Sequence, residues 1–133
     1  MATNKQYQVY QDNAVNTASG GKLTLMLYNG CIKFINQAMK DMNEENFESK
    51  NTHIQKAQDI IQELMLTLDP KIEISKQLLP LYEYTNHQLQ EANIKNDISY
   101  LIEALNFVTD FRDTWKEVML RTSSQQYAQG TQV

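Results

Sequence analysis

The apolar positions of this chain recur at three- and four-residue steps in four blocks, each closed by polar or helix-breaking residues. That spacing predicts amphipathic helices. The first block predicts a helix from about Gly21 to Met42, with Thr17 or Ser19 able to cap it. Leu23, Leu27, Gly30, Phe34 and Ala38 form one stripe, and Leu25, Tyr28, Ile32, Ile35, Met39 and Met42 form another. Two stripes exceed what a single bundle seam needs. The surplus calls for a second surface to cover it.

The polar break Asp41-Met-Asn-Glu-Glu-Asn46 ends the first helix. A second is predicted from about Phe47 to Leu68, capped by Asn46, with a seam of Ile54, Ala57, Ile61, Leu64 and Leu68. Asp69-Pro70 stops it, because proline disfavours helical geometry in the residue before it. A third covers about Ile72 to Ala92, with a seam of Ile74, Leu78, Leu81, Thr85, Leu89 and Ala92. Pro80 lacks an amide hydrogen and crowds the carbonyl of Lys76, so either the helix is continuous but kinked there, the favoured reading, or the segment before Pro80 is a separate short turn. After the short connection at Asn93–Asp97, with Asn96 as its cap, a fourth helix runs from about Asp97 to Arg121. Its seam is Ile98, Leu101, Leu105, Val108, Trp115 and Met119, interrupted by Arg112. Four such helices on short connections predict an all-α fold, an antiparallel four-helix bundle over residues 19–121. Residues 1–18 read as a mobile N-terminal arm and residues 122–133 as a disordered tail rich in Ser and Gln.

The arm is polar except for a few residues, among them Tyr7, Tyr10 and Val15. It is too polar to fold alone, and its spaced aromatics need an apolar surface to lie on. A half-buried tyrosine contributes about 1 kcal/mol from apolar contact. That biases an arm toward a docked state while leaving it displaceable.

Composition narrows the function more than it names it. The net charge is −4 and no Lys/Arg run stands out, which argues against a nucleic-acid partner. No stretch reaches the length of a bilayer span and the N-terminus lacks the apolar segment of a secretory signal, so a cytoplasmic protein without membrane insertion is expected. No Glu-x-x-His pairs or glycine-rich phosphate loop are present, so neither metal nor cofactor is expected. His53 and His87 read as surface or boundary residues, Cys31 as a small buried residue without a neighbouring base, and Trp115 as an anchor. An enzyme is not expected. The six methionines are mostly core filler, though thioethers also suit surfaces that accept a flexible partner.

Several segments, in order and along nearly the whole chain, resemble the flagellar secretion chaperone family FliS. They are Tyr7-x-x-Tyr10, Asn13-x-Val-x-Thr-Ala-Ser19, Leu23-x-Leu-Met-Leu-Tyr28-x-Gly30, Lys56-Ala-Gln-x-Ile60-Ile61-x-Glu-Leu64, Leu81-Tyr82-x-Tyr84, Ala92-Asn93-x-x-Asn96-Asp97 and Phe111-Arg112-x-x-Trp115-Lys116. Three positions depart from the family pattern: Gly20 stands where proline is common, Asn29 where an acidic residue is usual, and Pro80 lies within the third helix. The resemblance implies a helical bundle that binds the disordered C-terminal segment of flagellin, keeps flagellin monomeric and escorts it to the flagellar type III export apparatus. It also implies an arm that covers part of the groove when cargo is absent. On this reading Tyr7, Tyr10 and Val15 belong to a displaceable lid, and Leu25, Tyr28, Ile32 and Ile35 help to form cargo grooves. The complex is expected to be 1:1, and other flagellar regulators could share the surface. The rival reading is a structural bundle whose extra stripes meet in a homodimer.

Overall fold

A computed structural model describes the backbone of residues 20–131 and the side chains of residues 21–121; the expected arm over residues 1–18 lies outside that range. Four helices follow one another: α1 (Gly20–Asn43), α2 (Phe47–Leu66), α3 (Glu73–Lys95) and α4 (Ile98–Thr131). Helix α1 packs on α2 and α4, and α3 packs on the same two. The helices therefore form a ring in which the backbones of diagonal helices stay apart and only side chains meet across the middle. Short connections make each helix antiparallel to the next.

The core takes the predicted seam of α2 almost unchanged, whereas on α1 and α4 it is turned: Cys31, Ala104 and Phe111 enter it from outside the predicted stripes, and Phe34, Ile98, Leu105 and Trp115 are only half-buried. Cys31, Ile35 and Ala38 of α1 are sealed against Ile54, Ala57, Ile61 and Leu64 of α2, Leu89 and Ala92 of α3, and Leu101, Ala104 and Val108 of α4. Gly30 allows α1 and α2 to approach closely, since a β-carbon there would stand 3.2 Å from Ile60 Cδ1. Cys31 sits in the middle of this layer, with Sγ 3.8 Å from the carbonyl of Ala57. Burial pushes its thiol up from 9.0 to about 12, which removes the thiolate that nucleophilic chemistry would need.

The helix ends show why the chain turns where it does. The Asn46 side chain accepts the backbone N–H of Ser49 and caps α2, as the sequence predicts. At the α3–α4 connection the cap moves by one residue. Asn96 adopts the left-handed conformation (φ 52°) and closes α3, while Asp97 Oδ1 accepts both the backbone N–H and the hydroxyl of Ser99 at the start of α4. Those bonds, the backbone one foremost, hold the Asp97 carboxyl below the usual range. The Asn96 side chain is engaged elsewhere, by the ammonium of Lys50. Lys50 is only 1% exposed and also donates to the carbonyl of Asn93 at 3.1 Å, so it satisfies the end of α3 from α2. Its burial lowers its pKa.

Three features bear on the sequence expectation. First, the seam of α3 is rotated by one residue in its N-terminal half. Ser75 and Tyr82 face the core, whereas Ile74 and Leu81 are 54% and 38% exposed. The reason is Tyr82. Its hydroxyl meets that of Tyr28 at 2.6 Å, and its ring stands edge-on to Phe111 at 5.2 Å. Second, α3 passes through Pro80 as one helix, as expected, with the proline exposed and so clear of the core. Third, α4 continues as helix to Thr131, ten residues past the expected boundary at Arg121. No proline or glycine interrupts that stretch before Gly130, and Arg121 pairs with Glu117 one turn back. Residues 122–131, read as part of a disordered tail, thus extend the helix.

Two outcomes follow from this core. Cys31, Tyr28 and Tyr82 all have acid groups raised by burial, so the unfolded chain releases their protons at lower pH than the folded chain. Their contribution is fully present below the unfolded values and is lost as pH rises toward the folded ones. Urea unfolding is therefore expected to show stability falling above about pH 9, and Cys31→Ala to lower the slope between pH 9.0 and about 12 by up to one proton. A double-mutant cycle with Tyr28→Phe and Tyr82→Phe should give a coupling of about 1 kcal/mol, measured by denaturant titration.

Candidate functional site

A bundle that sealed all its apolar residues would offer nothing to a partner. This one leaves two apolar regions open, and they lie where different helices meet.

The first runs along the flank of α1 that turns toward α4. Gly21 lies beside Met119 and receives a 2.8 Å bond from the indole N–H of Trp115, and the Tyr28 and Phe111 rings are 6.0 Å apart. These contacts fix the antiparallel register of the two helices. Leu25, Ile32 and Met39 follow at seven-residue steps on that flank, all three half-buried. By the same register Ile98, Ile102 and Leu105 of α4 line the facing side, and Ile102 is 44% exposed. The result is an apolar furrow wide enough to be floored by core residues and walled by half-covered ones.

Of the α1 residues expected to line a groove, the structure brings only Leu25 and Ile32 to this surface. Tyr28 and Ile35 are inside the bundle, almost wholly inaccessible. This corrects their placement: both lie closer to the α1 midline than the stripe Leu25–Ile32–Met39, and α3 and α4 close over them. Tyr28 is held by Tyr82 and Phe111. They act as floor, under the side chains that a partner could touch. Tyr7, Tyr10 and Val15 lie outside the described residues.

The second region is an open cavity of about 390 Å³ at the end of the bundle where α1 begins. Leu23 and Tyr28 of α1, Leu68 after α2, Leu78 and Tyr82 of α3 and Trp115 of α4 line it, with Ile72 and Ile74 at its walls. Its polar groups are few: the hydroxyls of Thr24, Thr67 and Ser75 and the carboxylate of Asp69, which accepts the backbone N–H of Lys71. The Tyr28 and Tyr82 hydroxyls bond to each other, so one of their two protons is left for another acceptor. From this cavity an apolar strip continues along one face of α3 through Ile74, Leu81 and Tyr84, all exposed. Large apolar residues that recur on one helix face are a patch, whereas scattered exposed residues need no explanation. Tyr84 is steadied by a 2.6 Å bond to Glu103 and by edge contact with Phe107.

Sequence reasoning placed Ile74 and Leu81 in the α3 seam and so overlooked this strip. The available signal was the heptad Ser75, Tyr82, Leu89, whose inward turn leaves the neighbouring aliphatic residues outside. Trp115 was read as an anchor, and its bond to Gly21 shows which element it anchors: the first turn of α1. The histidines stay at the boundary. His53 bonds to Asp41 at 2.5 Å, and the exposed His87 faces Glu91 at 4.0 Å. Among the described residues no cluster of three His, Cys, Asp or Glu is arranged to hold a metal ion, and no helix is long and apolar enough to cross a membrane.

Comparison with known proteins gives these surfaces a context. The family model described as "Flagellar protein FliS" matches residues 2–122. The chain is 46% identical over 130 residues to the flagellar secretion chaperone FliS of Bacillus subtilis (strain 168), covering 98% of each. It is 33% identical to the flagellar secretion chaperone FliS of Escherichia coli (strain K12), covering 87% of this chain and 88% of that one. A solved structure described as a flagellar chaperone from bacteria superposes with a TM-score of 0.72 over 87% of this chain and 98% of its own, at 20% identity, which supports the helical-bundle fold. With the fold, nearly the whole length and this level of identity in agreement, the chain belongs to the FliS family of flagellar secretion chaperones.

Proposed function

We propose that this protein is a cytoplasmic, ATP-independent export chaperone that binds the disordered C-terminal segment of flagellin one to one. Binding prevents premature polymerisation, and the complex is delivered to the flagellar type III export apparatus. The observation that carries the reading is the coexistence of a sealed core with two unsealed apolar regions, the α1–α4 furrow and the cavity with its α3 strip. An extended partner that folds on contact can occupy both, because each accepts the apolar face of an amphipathic helix. Ordering such a partner offsets part of the contact energy, so release needs no nucleotide.

In this reading Leu25 and Ile32 touch cargo directly, and Tyr28 and Ile35 support them from below. Tyr7, Tyr10 and Val15 act from the arm as a lid that cargo displaces. The arm joins the bundle at Gly20, next to the cavity residue Gly21, so a short span of chain reaches the mouth. A bundle that merely self-associates through the same surfaces would gain mass with concentration in light scattering and would not form a defined 1:1 complex with the peptide.

The direct test is calorimetric titration with a flagellin C-terminal peptide, paired with co-purification of full-length and C-terminally truncated flagellin. Ile32→Glu is expected to weaken peptide binding about tenfold or more, because an unpaired carboxylate buried under cargo costs a few kcal/mol. Ile94→Glu, on the exposed C-terminal end of α3, should leave binding unchanged. No binding by the unaltered chain would end the proposal. Tyr10→Ala is expected to bind the peptide somewhat more tightly and to show a more mobile arm by NMR. Unchanged affinity together with unchanged arm mobility would remove the lid.

A further inference from the structure

The face of α1 that turns away from the core carries a charge pattern that the cargo surfaces do not use. From Gly20 to Lys40 this helix has three lysines, Lys22, Lys33 and Lys40, and no acidic residue, although the whole chain has a net charge of −4. All three are exposed, and Lys56 of α2 joins them. The ammonium of Lys33 lies 5.8 Å and that of Lys56 5.4 Å from the ring centroid of Phe34, so two like charges share one half-buried aromatic. His53 stacks against the same ring at 6.2 Å. The nearby carboxylate of Asp41 is committed to His53 and almost buried. Among the described residues none of the four lysines is within ion-pair distance of a carboxylate. Helical spacing puts Glu63 beside the Met26 end of this face, Glu44 one turn beyond Lys40 and Asp59 three residues from Lys56 on α2, while the α1 side of the patch at Lys33 and Phe34 has no carboxylate within one turn.

We infer that the α1–α2 face centred on Lys33, Phe34 and Lys56 is a docking surface for an acidic protein segment that carries an aromatic or aliphatic side chain. A carboxylate bridging Lys33 and Lys56 would neutralise two charges that now repel each other across Phe34. An apolar side chain beside it would cover the exposed edge of that ring, and a second one about 12 Å along the helix would cover Met26, which is 52% exposed. Lys33 and Lys40 are seven residues apart, about 10 Å along the helix, so one short segment spans both. A protein partner fits better than a nucleic acid. The phosphate backbone offers nothing apolar for Phe34 and Met26, and the acidic remainder of the chain repels it. The surface lies on the opposite flank of α1 from Leu25 and Ile32, and the inference does not depend on cargo binding in the furrow.

The test uses the isotopically labelled full chain and a short synthetic peptide alternating glutamate with phenylalanine and leucine, with its lysine-for-glutamate counterpart as control. NMR titration is expected to move the amides of Lys33, Phe34 and Lys56 with the acidic peptide alone, with an affinity that falls as salt is raised. Lys33→Glu/Lys56→Glu should weaken that binding about tenfold or more, with an unchanged thermal midpoint and unchanged binding of the flagellin peptide. Lys33→Ala/Lys56→Ala serves as a second variant should the charge reversal perturb folding. Shifts scattered over the molecule, equal binding by the variants, or a loss of flagellin binding in the same variants would overturn the inference. So would the same residues responding more strongly to duplex DNA or to vesicles containing phosphatidylglycerol.

Discussion

Two phenol groups enclosed among hydrocarbon side chains need partners, and Tyr28 and Tyr82 supply each other. An unmet hydroxyl at that depth would cost about 1–3 kcal/mol, a large fraction of the stability of a domain this size. The bond reaches from α1 across the ring of helices to α3, two elements whose backbones do not approach each other. It therefore sets the rotation of α3 about its own axis. Once Tyr82 points inward, Ser75 and Leu89 follow at heptad spacing, and Ile74 and Leu81 turn to the outside. The apolar strip along α3 results from satisfying one polar pair in the interior.

The same logic explains why the molecule is stable with so much hydrocarbon uncovered. The central layer from Cys31 to Val108 is closed and well packed, and Lys50 and Asp97 tie off the α3–α4 end. Trp115 ties the other end by holding the first turn of α1. Between those ties the helix flanks are free to remain half-covered. A flexible partner laid on them adds helix-on-helix contacts of the kind already present in the core, so recognition needs no new chemistry.

Much of this was legible in the sequence, and the exceptions are instructive. The inward residues of α2 follow from three-and-four spacing because one face of it is strongly apolar, and Leu101 and Val108 of α4 follow in the same way. Asn46 as the α2 cap follows from its side chain. On α3 the pattern misleads: Ile74 and Leu81 are more hydrophobic than Ser75 and Tyr82, and a count of apolar residues prefers them as core. What decides is a tertiary bond from Tyr28, which no local window contains. The same applies to Asn96. Locally it is a good cap for α4, yet Lys50, far away in sequence, takes its side chain and leaves Asp97 to do that work. Burial of Tyr28 and Ile35 was also hidden, since two stripes on α1 do not say which one the other helices will cover. The run to Thr131 shows that a polar composition rich in Ser and Gln is compatible with helix when nothing in it breaks the backbone.

Pro80 lies between Ile74 and Leu81, on the exposed side of α3. It has no amide proton, so the carbonyl of Lys76 lacks its usual intrahelical donor, and the rung joining the opening turns of α3 to the rest is missing. Those turns carry Ile72, Ile74 and Leu78, which form one wall of the cavity, whereas Tyr82 beyond the proline is locked to Tyr28. The helix is thus elastic at the mouth and stiff at the floor. A wall built beyond that missing rung yields before the interior does, and the register set by Tyr28 and Tyr82 is kept.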